Sequence, residues 1–86
     1  MIFRCNPKVL DSKIDEEVAI MSLEQNHYYG LEEIGSRIWE ILQESPSTLE
    51  ELCEKLIIEF EVEKDVCEKE TLLFLNHLLT EKLVLI

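Results

Sequence analysis

The chain has 86 residues, of which 19 are acidic and eight basic, leaving a formal net charge of −11. That length suits one domain spanning residues 1–86, because so short a chain buries only ~60–65% of its unfolded surface and has no apolar residues to spare for a second core. The charge repels phosphate backbones and anionic membrane surfaces, which argues against nucleic acid and membrane as partners.

Almost half of the residues are apolar, and only two are Gly and two Pro, a balance that favours a packed core. Cys5, Cys53 and Cys67 are widely spaced, form no Cys-x-x-Cys pair and have no nearby His to complete a zinc site, so neither a metal nor another cofactor is expected. The odd number of cysteines points to a reducing compartment. Met1 to Asn6 lacks the apolar core of a secretory signal, and no run approaches the ~20 apolar residues that span a bilayer. These features together predict a cytoplasmic protein.

In chain order, Val9 to Ile14, Glu17 to Leu23 and His27 to Leu31 are rich in β-branched, aromatic or apolar residues and predict three strands. Asp15-Glu16 and Glu24-Gln25-Asn26 supply the turns of an antiparallel meander. In the middle strand Val18 and Ile20 alternate with Ala19, Met21 and Leu23, so both faces of the sheet carry apolar residues. A sheet this small needs helices on at least one side.

From Glu32 to Glu44 the period becomes helical, with Ile34, Ile38, Ile41 and Leu42 recurring and acidic residues at the entrance. Ser45-Pro46-Ser47 stops this helix. Ser47 or Thr48 then caps a second helix, with Glu50 or Glu51 completing a capping box and Leu49, Leu52, Cys53, Leu56 and Phe60 forming its buried stripe. Glu61 to Glu63 lead to a third helix over Lys64 to Thr80. There Leu72, Leu75, Leu78 and Leu79 make one apolar face, widened by Leu73 and Phe74. So much apolar surface implies either a well-covered core helix or a flank left open for a ligand. Leu83 to Ile86 form either a short strand or a packed tail. The order predicts an α+β fold of winged helix-turn-helix type, a three-stranded antiparallel sheet followed by three helices.

Such a fold raises the question of DNA, but the third helix carries acidic residues where a recognition helix needs cations. His27 and His77 lie in no motif with a nucleophile or metal ligands, and there is no glycine-rich phosphate loop. The sequence therefore predicts no catalytic residues, and the chain is not expected to be an enzyme. What remains is the third strand, His27-Tyr28-Tyr29-Gly30-Leu31, whose edge can accept another extended chain by strand addition. Tyr28 and Tyr29 alternate across the sheet, so one is expected in the core and the other beside a groove. The same edge is compatible with a monomer or with an edge-mediated dimer.

The run from His27 through Tyr28-Tyr29-Gly30-Leu31 and Gly35-Ser36-Arg37-Ile38-Trp39 to Leu42 resembles the PqqD-like family of precursor-peptide recognition domains. Thr48-Leu49-Glu50-Glu51-Leu52, Glu59-Phe60-Glu61-Val62, Phe74-Leu75 and Leu83-Val84 follow in the family's order, so the likeness covers nearly the whole chain. Glu32 and Asn26 depart from residues common in relatives at those positions. The resemblance implies a non-catalytic domain that holds a leader peptide antiparallel to the third strand, in a cleft shared with the third helix. Carried over by position, it implies strand contacts from Tyr28, Tyr29 and Gly30 and a helix wall of Lys69, Glu70, Leu73, Phe74 and His77. It further implies a partner enzyme. The first expectation is the cysteine leader protease of a lasso-peptide pathway; the alternatives are a radical S-adenosylmethionine enzyme of pyrroloquinoline quinone-type biosynthesis, with this chain as peptide chaperone, or a general adaptor role.

Overall fold

A computed structural model describes residues 1–14, 17–22, 27–31 and 33–86. Its elements are β1 (Ile2–Cys5), β2 (Val9–Ile14), β3 (Glu17–Ser22), β4 (His27–Leu31), α1 (Glu33–Glu44), β5 (Ser47–Thr48), α2 (Leu49–Phe60), α3 (Lys64–Thr80) and β6 (Val84–Leu85). The turns expected at Asp15-Glu16 and Glu24-Gln25-Asn26, the strand end at Leu23 and the helix start at Glu32 lie outside the described residues.

The meander forms as the alternation requires, in the order β2-β3-β4, with Leu10 opposite Met21, Ile20 opposite Tyr29 and Val18 opposite Leu31. Val18, Ile20 and Leu31 are buried, whereas Ala19 and Met21 are only partly so, which identifies the face that meets the helices. The expected strand His27–Leu31 is β4, the terminal strand of this sheet.

A second small sheet was not anticipated. In it β1 is central, with Ile2 and Phe3 opposite Thr48 and Ser47 of β5, and Arg4 and Cys5 opposite Leu85 and Val84 of β6. Two-residue strands carry no periodicity of their own and are defined only by partners that lie far away in sequence. The amide of Asn6 donates to the Leu83 carbonyl at 3.0 Å, and its side-chain amide donates to the Lys82 carbonyl at 2.7 Å. The C-terminal tail is thus a strand, and it is tied to β1, not to β4.

Each helix is set by local chemistry. Thr48 is the N-cap of α2: its hydroxyl accepts from the Glu51 amide at 3.2 Å while its own amide donates to the Glu51 carboxylate at 2.8 Å. That backbone donor holds the Glu51 carboxyl below its ordinary pKa. Glu61, at φ 52°, ends α2 in the left-handed conformation, its amide returning to the Ile57 carbonyl. Arg37 Nε of α1 donates to both carboxylate oxygens of Glu59 of α2, at 3.1 and 2.9 Å. This exposed pair orients the two helices more than it stabilises them.

The buried face of α3 is Cys67, Thr71, Leu75 and Leu78. The expected face included Leu72 and Leu73, which instead are 41% and 57% exposed. The helix is rotated because its inner side meets α2 and β6 while its other flank faces open space. Ile34 likewise lies 41% exposed, so the buried stripe of α1 begins at Ser36 and runs through Ile38, Trp39, Ile41 and Leu42.

Ser36 joins sheet to helix. Its hydroxyl donates to the Leu31 carbonyl at 2.7 Å and accepts from the Val18 amide at 3.0 Å, all of it buried. One side chain on α1 thereby satisfies backbone groups at the end of β4 and the start of β3. Ser36→Ala leaves both groups without that partner. It is expected to destabilise the fold by about 1–3 kcal/mol, lowering the thermal midpoint by roughly 4–8 °C per kcal/mol in a domain of this size; calorimetry of the variant checks this.

Candidate functional site

The sheet has one edge that borders a depression. On one side β4 pairs with β3 along its whole length, and on the other no strand of the described residues pairs with it. Beside that edge lies a cleft of about 700 Å³ lined by Gly30, Leu31, Glu33, Ile34, Gly35, Ile38, Glu70, Thr71 and Phe74. Residues of α1 form one wall and residues of α3 the other.

The glycines give the cleft its form for different reasons. A Cβ placed on Gly35 would stand 3.1 Å from Phe74 Cζ, so the absence of a side chain lets the Phe74 ring lie against α1. Gly30 is different. A Cβ there would meet nothing within 4 Å, and neither glycine has positive φ, so no packing or turn inside the chain requires a glycine in the middle of β4. Glycine weakens a strand, and in a strand interior it often marks the close approach of another backbone.

Of the expected site residues, the cleft lining brings together Gly30, Glu70 and Phe74. Tyr28 and Tyr29 lie beside Gly30 on β4, paired in register with Met21 and Ile20. Lys69, Leu73 and His77 are exposed on α3 but do not line the cleft. Ile34, Gly35, Ile38 and Glu33 were not expected there, because a helical apolar period makes Ile34 and Ile38 look like core. A helix-interior glycine four residues before Trp39 was the available signal for a close approach.

A second cleft of about 710 Å³ lies at the opposite sheet, lined by residues including Arg4, Cys5, Asn6, Trp39, Gln43 and Leu85. The neighbouring strand there already has partners on both sides, in β5 and β6. It therefore offers an extended guest less backbone than β4 does.

Cys5 and Cys53 are held toward the neutral thiol. Burial, reinforced by Asp11, pushes Cys5 up to about 12, and burial with a contact to Cys67 pushes Cys53 up to about 11. A raised thiol pKa leaves very little nucleophilic thiolate near neutral pH. At pH 8 the folded protein is expected to react with iodoacetamide at Cys5 and Cys53 far more slowly than the guanidinium-unfolded chain, as mass spectrometry over time would show. No group of three His, Cys, Asp or Glu side chains among the described residues is arranged to hold a metal ion, and no described helix is long and apolar enough to cross a membrane.

The arrangement thus offers an extended chain unpaired backbone groups along β4 and apolar surface across the cleft. The family model of coenzyme PQQ synthesis protein D (PqqD) matches residues 17–84. The solved structure of TbiB1 in complex with the TbiA(beta) leader peptide superposes with a TM-score of 0.88 at 31% identity, over 94% of this chain and 93% of that one. The structure of lasso peptide synthetase B1 complexed with the leader peptide superposes with a TM-score of 0.84, over 98% of each chain; at 19% identity this likeness is one of fold. No curated protein matches significantly.

Proposed function

Because this chain belongs to the PqqD family, whose members are leader-peptide recognition domains and not catalysts, we propose that it binds the leader of a ribosomally made precursor peptide as an added antiparallel strand on β4. The observation that carries this reading is the terminal position of β4 beside the α3 cleft. Backbone pairing supplies register and offsets much of the ordering cost, and the cleft supplies side-chain affinity and selectivity. In this reading Tyr28, Tyr29 and Gly30 form the strand contacts, and Glu70 and Phe74 form the near part of the helix wall. Lys69, Leu73 and His77 are reached only by parts of the peptide that extend past the cleft.

The lasso-peptide branch is favoured over pyrroloquinoline quinone-type biosynthesis. The family model begins at residue 17, whereas the fold of lasso peptide synthetase B1, complexed with its leader peptide, is shared over 98% of this chain and so includes residues before that point. In this reading the domain delivers its guest to a separate cysteine leader protease. Holding the leader near that enzyme raises its effective concentration without any chemistry by the domain itself.

Successive amides of β4 alternate between β3 and the open edge. Of Tyr28→Pro and Tyr29→Pro, one therefore breaks the sheet and the other removes only an edge donor. The variant that keeps its circular dichroism spectrum is expected to bind roughly threefold to tenfold more weakly, the worth of one hydrogen bond. The probe is a fluorescein-labelled leader from a precursor gene neighbouring this one, followed by anisotropy. Gly30→Val is expected to retain or gain stability, since valine favours strands and its side chain meets nothing, yet to lose binding. Unchanged affinity in both folded variants refutes strand addition at β4.

A further inference from the structure

The cleft has a charge pattern that bears on which peptide it accepts. Its charged lining residues are Glu33 and Glu70, both acidic and both exposed, on different walls. Glu33 stands in the first turn of α1, where the helix dipole favours a carboxylate, and Glu70 projects from the middle of α3. Neither has an ion-pair or hydrogen-bond partner among the described residues. Ile34 and Phe74, one 41% exposed and the other partly so, line the same cleft.

A guest strand on β4 presents alternate side chains to alternate faces of the sheet. Leu31 is buried, so the guest residue directly opposite it turns its side chain to the same inner face, toward the cleft. The cleft offers a side chain there both apolar surface and two exposed carboxylates. Lys and Arg match that pair of environments, with an aliphatic stem and a cationic tip. Asp or Glu at the same position would meet two like charges.

We propose that the cleft selects peptides with a Lys or Arg at the position pairing with Leu31, its stem on Ile34 and Phe74 and its charge between Glu33 and Glu70. This rests on the strand-addition reading above and adds a residue-level specificity to it. The neighbouring guest residue, on the outer face, runs beside Gly30, where the missing side chain leaves room.

The test is a surface-displayed library of random ten-residue peptides sorted against three proteins: the unsubstituted chain, Glu33→Gln with Glu70→Gln, and a charge-matched control, Glu54→Gln of α2 with Glu61→Gln at its C-cap, neither of which lines the cleft. The unsubstituted chain and the control are expected to enrich Lys or Arg at one fixed position relative to apolar residues, and the cleft variant is not. The best clone, measured by anisotropy, is expected to lose about fivefold in affinity against the cleft variant, as partly exposed ion pairs imply, and to change little against the control. Enriched peptides with no basic residue at a fixed position overturn the charge selection, and so do equal losses in both variants. Strand addition then stands if Gly30→Val still abolishes their binding. A library that yields no binder overturns both.

Discussion

The site depends on how the meander is fastened to the first helix, and the buried Ser36 hydroxyl is the fastening. With one donor and one acceptor role it holds the Leu31 carbonyl and the Val18 amide against α1. A serine is unusual among the buried residues of α1, which are otherwise Ile38, Trp39, Ile41 and Leu42. Apolar packing alone fixes how far a sheet lies from a helix but is tolerant of sliding, whereas two short hydrogen bonds to named backbone groups are not. The position of β4 relative to α1, and hence the shape of the cleft, follows from that constraint.

The second sheet complements it from the other end. By pairing β1 with both β5 and β6, the chain uses its two termini to satisfy one another. Had the tail instead paired with β4, the meander would have no free edge at the cleft. Bound in this way, the C-terminal residues also hold the end of α3 through the Leu83 amide and the Leu78 carbonyl at 2.8 Å. The wall of the cleft and the vacancy of its strand are therefore coupled through the same short segment.

How much of this was legible in the sequence depended on whether a feature is local. The three helices and the meander were readable because period and capping act within a few residues: Thr48 with Glu51 is a complete signal in four positions. The small sheet was not readable, since Phe3 gives no hint that Ser47 will lie opposite it. Rotation of α3 was the costliest gap. Leucines at 72, 73, 75, 78 and 79 surround so much of the helix that hydrophobicity cannot choose a face, and the choice went instead to Cys67, Thr71, Leu75 and Leu78. For that reason the part of α3 that lines the cleft is Glu70, Thr71 and Phe74, and not Lys69, Leu73 or His77.

An extended guest must lose its chain freedom on binding, at a cost of roughly 2–5 kcal/mol in coupled ordering. Each backbone hydrogen bond gained returns only about 0.5–1.5 kcal/mol net, and the edge of a five-residue strand such as β4 holds few of them. Strand pairing by itself is thus close to balanced, which would make any flexible peptide a weak ligand and none a preferred one. The decisive surplus has to come from side chains. That places selectivity in the exposed apolar surface of Ile34 and Phe74 and in the open space at Gly30. An edge and cleft of this kind would stay indifferent to most extended chains and hold only those whose side chains fit.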